Sequence, residues 1–236
     1  MTARWKRRIL ISAVVVAAAC LFHAPLLRGL ANFLVVDEPT RSVDYICVTS
    51  WGYRPDGDRC YDVAGELHRK NPSCRILLIE PNHSRLVQIG AVKSFASVSQ
   101  RELGSRGVPS EAISILRCEP WNDWATARAL ADWLRDHPNN SVLLLCGQFR
   151  SAQARHTLDA VLHRAEAARV RVRALPSRQC DETDWWTSRR GYLEFGDHWL
   201  MRIQNRLGGG DAMQPPERNA EQYERDFLRT LPEALP

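Results

Sequence analysis

The chain has 236 residues, 44% hydrophobic and 25% charged, which suits one sizeable folded core with appendages rather than a disordered or multi-core protein. Of its formal charge of +5, Arg4, Lys6, Arg7 and Arg8 supply four units, leaving the rest of the chain near +1. A nucleic-acid binder spreads basic residues over its folded surface, so this end-loaded charge argues against that class.

The basic start is followed by an uncharged run, Ile9–Phe22, which Ala24–Leu27 extends before Arg28. As a helix, 9–27 would reach about 28 Å, close to the thickness of a bilayer's hydrocarbon core. With the basic flank 1–8 left on the cytoplasmic side, the remainder would be exported. An uncleaved single-pass anchor is the reading adopted. A cleaved signal ending near Ala17-Ala18-Ala19 and lipidation at Cys20 are rivals that also export the domain, and a buried helix, with the chain a cytosolic nucleotide-dependent enzyme, is the reading that does not.

Residues 28–42, with Asp37-Glu38-Pro39-Thr40-Arg41, read as a polar linker, and the domain is expected over 43–207. Val43–Thr49 reads as the first strand. Asp58–Lys70 follows as a helix with Tyr61, Val63 and Leu67 on its apolar face, and Asn71-Pro72-Ser73 separates it from a second strand at Arg75–Ile79. Leu86–Val92 and a helix over Ser97–Ser105 lead to Gly107-Val108-Pro109.

A strand–helix–strand–helix unit comes next: Ala112–Leu116, Asn122–Asp136, Ser141–Cys146 and Ser151–Leu162. Its strands are short aliphatic runs without alternation, as expected of parallel strands covered on both faces, and they read as neighbours. Asn122 stands where a helix N-cap belongs. Val170–Ala174 alternates Val-Arg-Val-Arg and is expected at a sheet edge. A last helix, Trp185–Leu207, precedes Gly208-Gly209-Gly210 and a tail, 208–236, expected to be flexible. The elements predict an α/β fold: a Rossmann-like three-layer sandwich with a mainly parallel five-stranded sheet behind an N-terminal transmembrane helix.

The seven cysteines form no CxxC and have no histidines at metal-ligand spacing, so no metal site is expected, although one pair among Cys60, Cys118 and Cys180 would suit a disulfide in an exported domain. Neither GxGxxG nor GxxxxGK[ST] nor GxSxG occurs, and the residues name no cofactor. A serine nucleophile from Ser50, Ser84 or Ser151, with His83 as base, is the weaker catalytic reading.

Charge gathers instead where strands end, on the edge at which open α/β sheets take ligands. Glu80, Glu119, Asp123, Arg54, Arg85, Arg150 and Arg155 are expected on one rim. Arg54 and Arg150 would hold phosphate or carboxylate through forked hydrogen bonds, and Glu119 or Asp123 would act as a base. Ser50 and Gly52 after the first strand, and Gly147 and Gln148 after the fourth, would line the same rim, with Trp185 of the Trp185-Trp186 pair as a stacking platform, core packing being the commoner role for one of the two. Such a site suits an anionic glycan or a nucleotide-like ligand.

Several landmarks carry a resemblance: Leu-Val-Val-Asp-Glu-Pro at 34–39 before Val43–Val48, Gly107-Val108-Pro109, Trp124-Ala125-Thr126-Ala127-Arg128, and Trp185-Trp186 with Arg190-Gly191. In their order and spacing, over roughly Leu34 to Leu207, the chain resembles the YdcF, SanA and ElyC family of bacterial envelope proteins. The resemblance implies a single-pass inner-membrane protein with a periplasmic Rossmann-like domain, serving envelope polysaccharide or peptidoglycan homeostasis. Ser50-Trp51-Gly52 stands where the family has a glycine-rich turn, Asp123, Ala125 and Thr126 where it has Thr, Glu and Asn, and Cys146-Gly147, Arg150 and Gln153 where it has Thr-Ser, His and Arg. A glutamate common in the family's last helix falls near His198. The polar set differs enough that either a different ligand or a non-catalytic scaffold follows, with protein partners left open.

Overall fold

The computed structural model describes residues 22–39, 42–49, 58–81, 85–118, 122–177 and 180–207. Its centre is a five-stranded, wholly parallel sheet of β1 (Tyr45–Thr49), β2 (Arg75–Pro81), β3 (Ile113–Cys118), β4 (Val142–Gly147) and β5 (Val170–Leu175), in the order β3-β2-β1-β4-β5. The helices are α1 (22–32), α2 (Asp58–Lys70), α3 (Arg85–Gln88), α4 (Phe95–Gly104), α5 (Asp123–Asp136), α6 (Gln148–Val161), α7 (Arg164–Ala167) and α8 (Arg189–Leu207). Short 3₁₀ turns at Ser110–Ala112 and Trp185–Thr187 lead into β3 and α8.

The central strands are aliphatic on both faces because both are covered. Cys47, Leu77, Ile79, Val142, Leu144 and Cys146 meet Leu130, Ala131 and Leu134 of α5 and Leu158 of α6. The alternate residues Ile46, Val48, Ile76, Leu78, Leu143 and Leu145 meet Tyr61 and Ala64 of α2 and Leu103 of α4. Register keeps the alternation coherent across strands, with Cys47 beside Leu77 on one side and Leu144 on the other.

The third and fourth strands are not neighbours, contrary to the reading of their aliphatic runs. β2 and β1 lie between them. β3 forms an edge, where Ile115 remains 42% exposed. Composition could not separate the two cases, because Ile-Ser-Ile-Leu fills an edge strand as readily as a central one. β5, expected at an edge, forms the other margin.

That β5 edge is covered by the segment expected as a linker. The Glu38 amide donates to the Val172 carbonyl (2.9 Å), the Glu38 carboxylate accepts from the Val172 amide (2.7 Å), and Asp37 accepts from the Ala174 amide (3.1 Å). Two acidic side chains thus occupy edge donors that would otherwise invite another strand. Upstream, the Val36 amide donates to the Ser151 hydroxyl (2.7 Å) and the Leu34 carbonyl accepts from the Ala152 amide (3.1 Å).

A third apolar cluster holds α1 and α8 to this end of the molecule. Ala31, Leu34, Phe149, Cys180, Trp185 and Phe195 form its buried part, with Leu27, Leu30 and Trp199 packed against it. Gly191 in the first turn of α8 allows the approach: a Cβ there would stand 2.0 Å from the Trp185 carbonyl oxygen. The Trp185-Trp186 and Arg190-Gly191 landmarks are therefore one packing device.

Among the described residues no helix is long and apolar enough to cross a membrane. The expected anchor lies outside them up to residue 21, as does the tail 208–236.

Candidate functional site

All five strands run in one direction, so their carboxyl ends share an edge. Chain direction across the sheet reverses between β1 and β4: β2 and β3 continue outward from β1, and β5 from β4. In open α/β sheets the carboxyl edge at such a reversal is the usual ligand position.

β4 passes into α6 at Gly147, so the helix expected from Ser151 starts three residues earlier and Gln148, Arg150 and Ser151 form its first turn. Gly147 is the N-cap and, as a glycine, offers the first turn no side-chain oxygen. The amides of this turn therefore lie at the carboxyl edge with the positive end of the helix dipole and no oxygen from the N-cap side chain.

Gln148 is 3% exposed. Its Nε2 donates to the Cys180 carbonyl (3.3 Å), while its buried Oε1 meets no donor. A buried carboxamide oxygen without a partner costs about 1–3 kcal/mol, which a ligand hydroxyl or N–H would recover.

Arg150 Nη2 donates to Asp123 Oδ1 at 2.5 Å, joining the first turns of α6 and α5. Asn122 caps α5 through the Ala125 amide (2.7 Å), which fixes the position of Asp123. The carboxylate expected as a base is thus held by the arginine expected to bind charge.

Other polar residues have structural partners. Glu80, nearly fully buried, accepts from the Ala96 amide at the start of α4 (2.9 Å), with Arg117 at 3.7 Å. Arg155, expected on the rim, instead runs along the β5 margin, donating to the Val170 carbonyl at the amino end of that strand (3.1 Å) and to Asp159, with Glu38 at 3.7 Å. Helical rise carries it away from the rim two turns into α6. Ser151 is fully buried; its hydroxyl serves the Val36 amide and the Gln148 carbonyl (2.6 Å), a structural position rather than that of an exposed nucleophile.

Trp185, expected as a platform over the rim, is 4% exposed, stacks on Phe195 with ring centroids 3.8 Å apart, and donates its indole N–H to the Leu27 carbonyl (3.2 Å). Its ring belongs to the third core. Ser50, Gly52, Arg54, His83, Ser84 and Glu119 lie outside the described residues.

The six described cysteines are buried free thiols. Burial pushes Cys47 and Cys146 far up from the ordinary thiol value and Cys60 and Cys74 to about 11, so these four are protonated near neutrality and are poor nucleophiles. Among the described residues no group of three or more His, Cys, Asp or Glu side chains is placed to hold a metal ion.

One neighbouring set was not singled out by sequence reasoning. The Cys180 thiol lies 3.9 Å from Glu194 Oε2, and Arg190 Nε donates to Glu194 Oε1 (3.0 Å), so a polar chain runs from Gln148 through Cys180 into α8. Its signal was present: Arg190, Glu194 and His198 recur every four residues and are half-buried, a polar stripe on a helix that also carries Leu193, Phe195, Trp199, Leu200 and Ile203.

Comparison of the chain with family models, with curated proteins and with solved structures finds no match.

Proposed function

We propose that this chain is a membrane-anchored, Rossmann-like domain that binds an anionic, sugar- or nucleotide-like ligand at the carboxyl edge of its sheet, beside the first turn of α6. The observation that carries the reading is the Gln148 carboxamide, buried with Oε1 unpartnered among the described residues, at a helix start whose N-cap is a glycine. The helix start favours a negative group, and Oε1 favours a hydroxyl or N–H beside it. Phosphorylated sugars and nucleotide sugars carry both.

A role in envelope polysaccharide or lipid-linked glycan metabolism at the bacterial inner membrane, with the domain in the periplasm, follows from the resemblance to the YdcF, SanA and ElyC family. One contact supports the lipid-linked variant: the chain leaving the expected anchor is bonded to α6 within four residues of Gln148, through Leu34 and Ala152. In an enzymatic form, Arg150 would hold charge and Asp123 or Glu119 would take a proton. A non-catalytic scaffold is the second reading, favoured by the Arg150–Asp123 pair, which engages the base with its neighbour.

Calorimetric titration with UDP-N-acetylglucosamine, glucose 1-phosphate and farnesyl phosphate tests the proposal. Wild-type protein binds at least one. Gln148→Leu abolishes that binding while keeping stability within about 1 kcal/mol, since a weak bond and an unpartnered oxygen are removed together. No binding by the wild type, or undiminished binding by the variant, discards it.

A further inference from the structure

α1 and α8 each bury one face in the third core and expose a second apolar face. On α1 the exposed apolar residues are Phe22 and Leu26, four residues apart, and Phe33 follows in the turn just past the helix end. On α8 the exposed apolar residues include Tyr192, Leu193, Leu200 and Ile203, with half-buried Gly196 and Trp199 between them and Trp199 also packing on the third core. Phe33 is 60% and Leu200 59% exposed. The stripes meet at a groove of about 220 Å³ lined by Phe33, Trp199, Arg202 and Ile203.

An apolar surface extending over two helices requires a cover. Chain continuity indicates which. Phe22, the first residue of the exposed stripe, is also the last residue of the uncharged run that begins at Ile9, so the apolar face of α1 continues the expected anchor. Arg189 is exposed on α8 and Arg202 lines the groove, which puts cations beside the apolar stripes, while Arg28 of α1 donates Nε to the Thr183 carbonyl (3.4 Å). Asp197 is the acidic residue exposed on this part of α8.

We infer that the α1–α8 face lies on a lipid bilayer, with Phe22, Leu26, Phe33, Leu200 and Ile203 at the acyl boundary and the arginines among headgroups, so that the domain is seated on the membrane. Interfacial helices bind in this manner, through buried apolar area supported by cationic side chains. The inference rests on the membrane-anchored reading above. It adds an orientation: the side of the domain carrying α1, α8 and the start of α6 faces the lipid.

Full-length protein with Cys20→Ser is reconstituted into phosphatidylcholine–phosphatidylglycerol vesicles and spin-labelled through Phe33→Cys, Leu200→Cys or, for reference, Asp136→Cys, exposed at the end of α5. Collision with oxygen, which dissolves in acyl chains, is compared with collision with a water-soluble nickel chelate, and flotation reports anchoring separately. Labels at 33 and 200 gain oxygen access and lose nickel access relative to 136. Vesicles that float with labels 33 and 200 as nickel-accessible as 136 overturn the seating and leave the anchor intact. Protein that fails to float removes both, and dipolar broadening between labels at 200 assigns the face to a second copy instead.

Discussion

Replacing Gly191 with alanine sets two local energies against each other. Inside a helix the change should gain about 1 kcal/mol from backbone propensity. The new methyl, however, would stand 2.0 Å from the Trp185 carbonyl oxygen, 2.7 Å from its carbon and 2.8 Å from its Cα. The obstruction is backbone and cannot rotate aside, and Trp185 is held by its stack on Phe195 and its bond to Leu27. Overpacking of this kind costs about 1–3 kcal/mol, and displacing a buried tryptophan ring raises the figure toward about 3–5 kcal/mol. The net expectation is a loss of about 2 kcal/mol, or a drop in melting temperature of about 4–8 °C for a domain of this size. Gly196, on the same helix, has no atom within 4 Å of its would-be Cβ, so Gly196→Ala should raise the melting temperature by about 1–4 °C. Melting followed by near-ultraviolet circular dichroism, which reports the tryptophans, measures both. If Gly191→Ala melts at or above wild type, the docking of α8 described here is wrong.

Other outcomes are as specific. Ser151→Ala removes the acceptor for the Val36 amide, costs about 1–3 kcal/mol, and speeds amide exchange at Val36 and Glu38; unchanged exchange would mean that Ser151 does not hold the 34–38 segment. The Ser141 hydroxyl and amide donate to the Asp44 carboxylate at 2.7 and 2.8 Å and hold its pKa below the usual range. A carboxyl depressed in the folded state adds stability that is fully present above its unfolded value, near about 4, and is lost as pH falls through the folded value. The stability gap between wild type and Asp44→Asn is therefore widest near neutrality and closes as pH falls through the depressed folded value. A gap that widens on acidification contradicts the assignment. Gln148→Leu separates ligand binding from stability, as set out above.

Periodicity made the elements legible, because aliphatic runs and helical spacing are local properties. The Asn122 cap and the edge position of β5 were readable for the same reason. Strand order was not: whether β3 borders β4 depends on how far a crossover reaches, which short-range pattern does not encode. The site was half legible. Gly147, Gln148 and Arg150 could be placed at the carboxyl edge from their position after an aliphatic strand, but Gln148's unpartnered oxygen depends on the Cys180 carbonyl, 32 residues away. Trp185 misled because an aromatic pair before a helix looks the same whether it faces a ligand or a core. Asp37 and Glu38 looked like linker residues because their partners, the amides of Val172 and Ala174, are more than 130 residues distant.

The central claim is that ligand meets protein at the start of α6. Hydrogen–deuterium exchange of the full chain, with and without UDP-N-acetylglucosamine, glucose 1-phosphate or farnesyl phosphate, tests it most directly. The account predicts that the ligand which binds slows exchange in the peptide spanning Gly147–Ser151 more than in peptides from the amino edge of the sheet. Slowing confined to the amino edge, or none with any of the three, contradicts it.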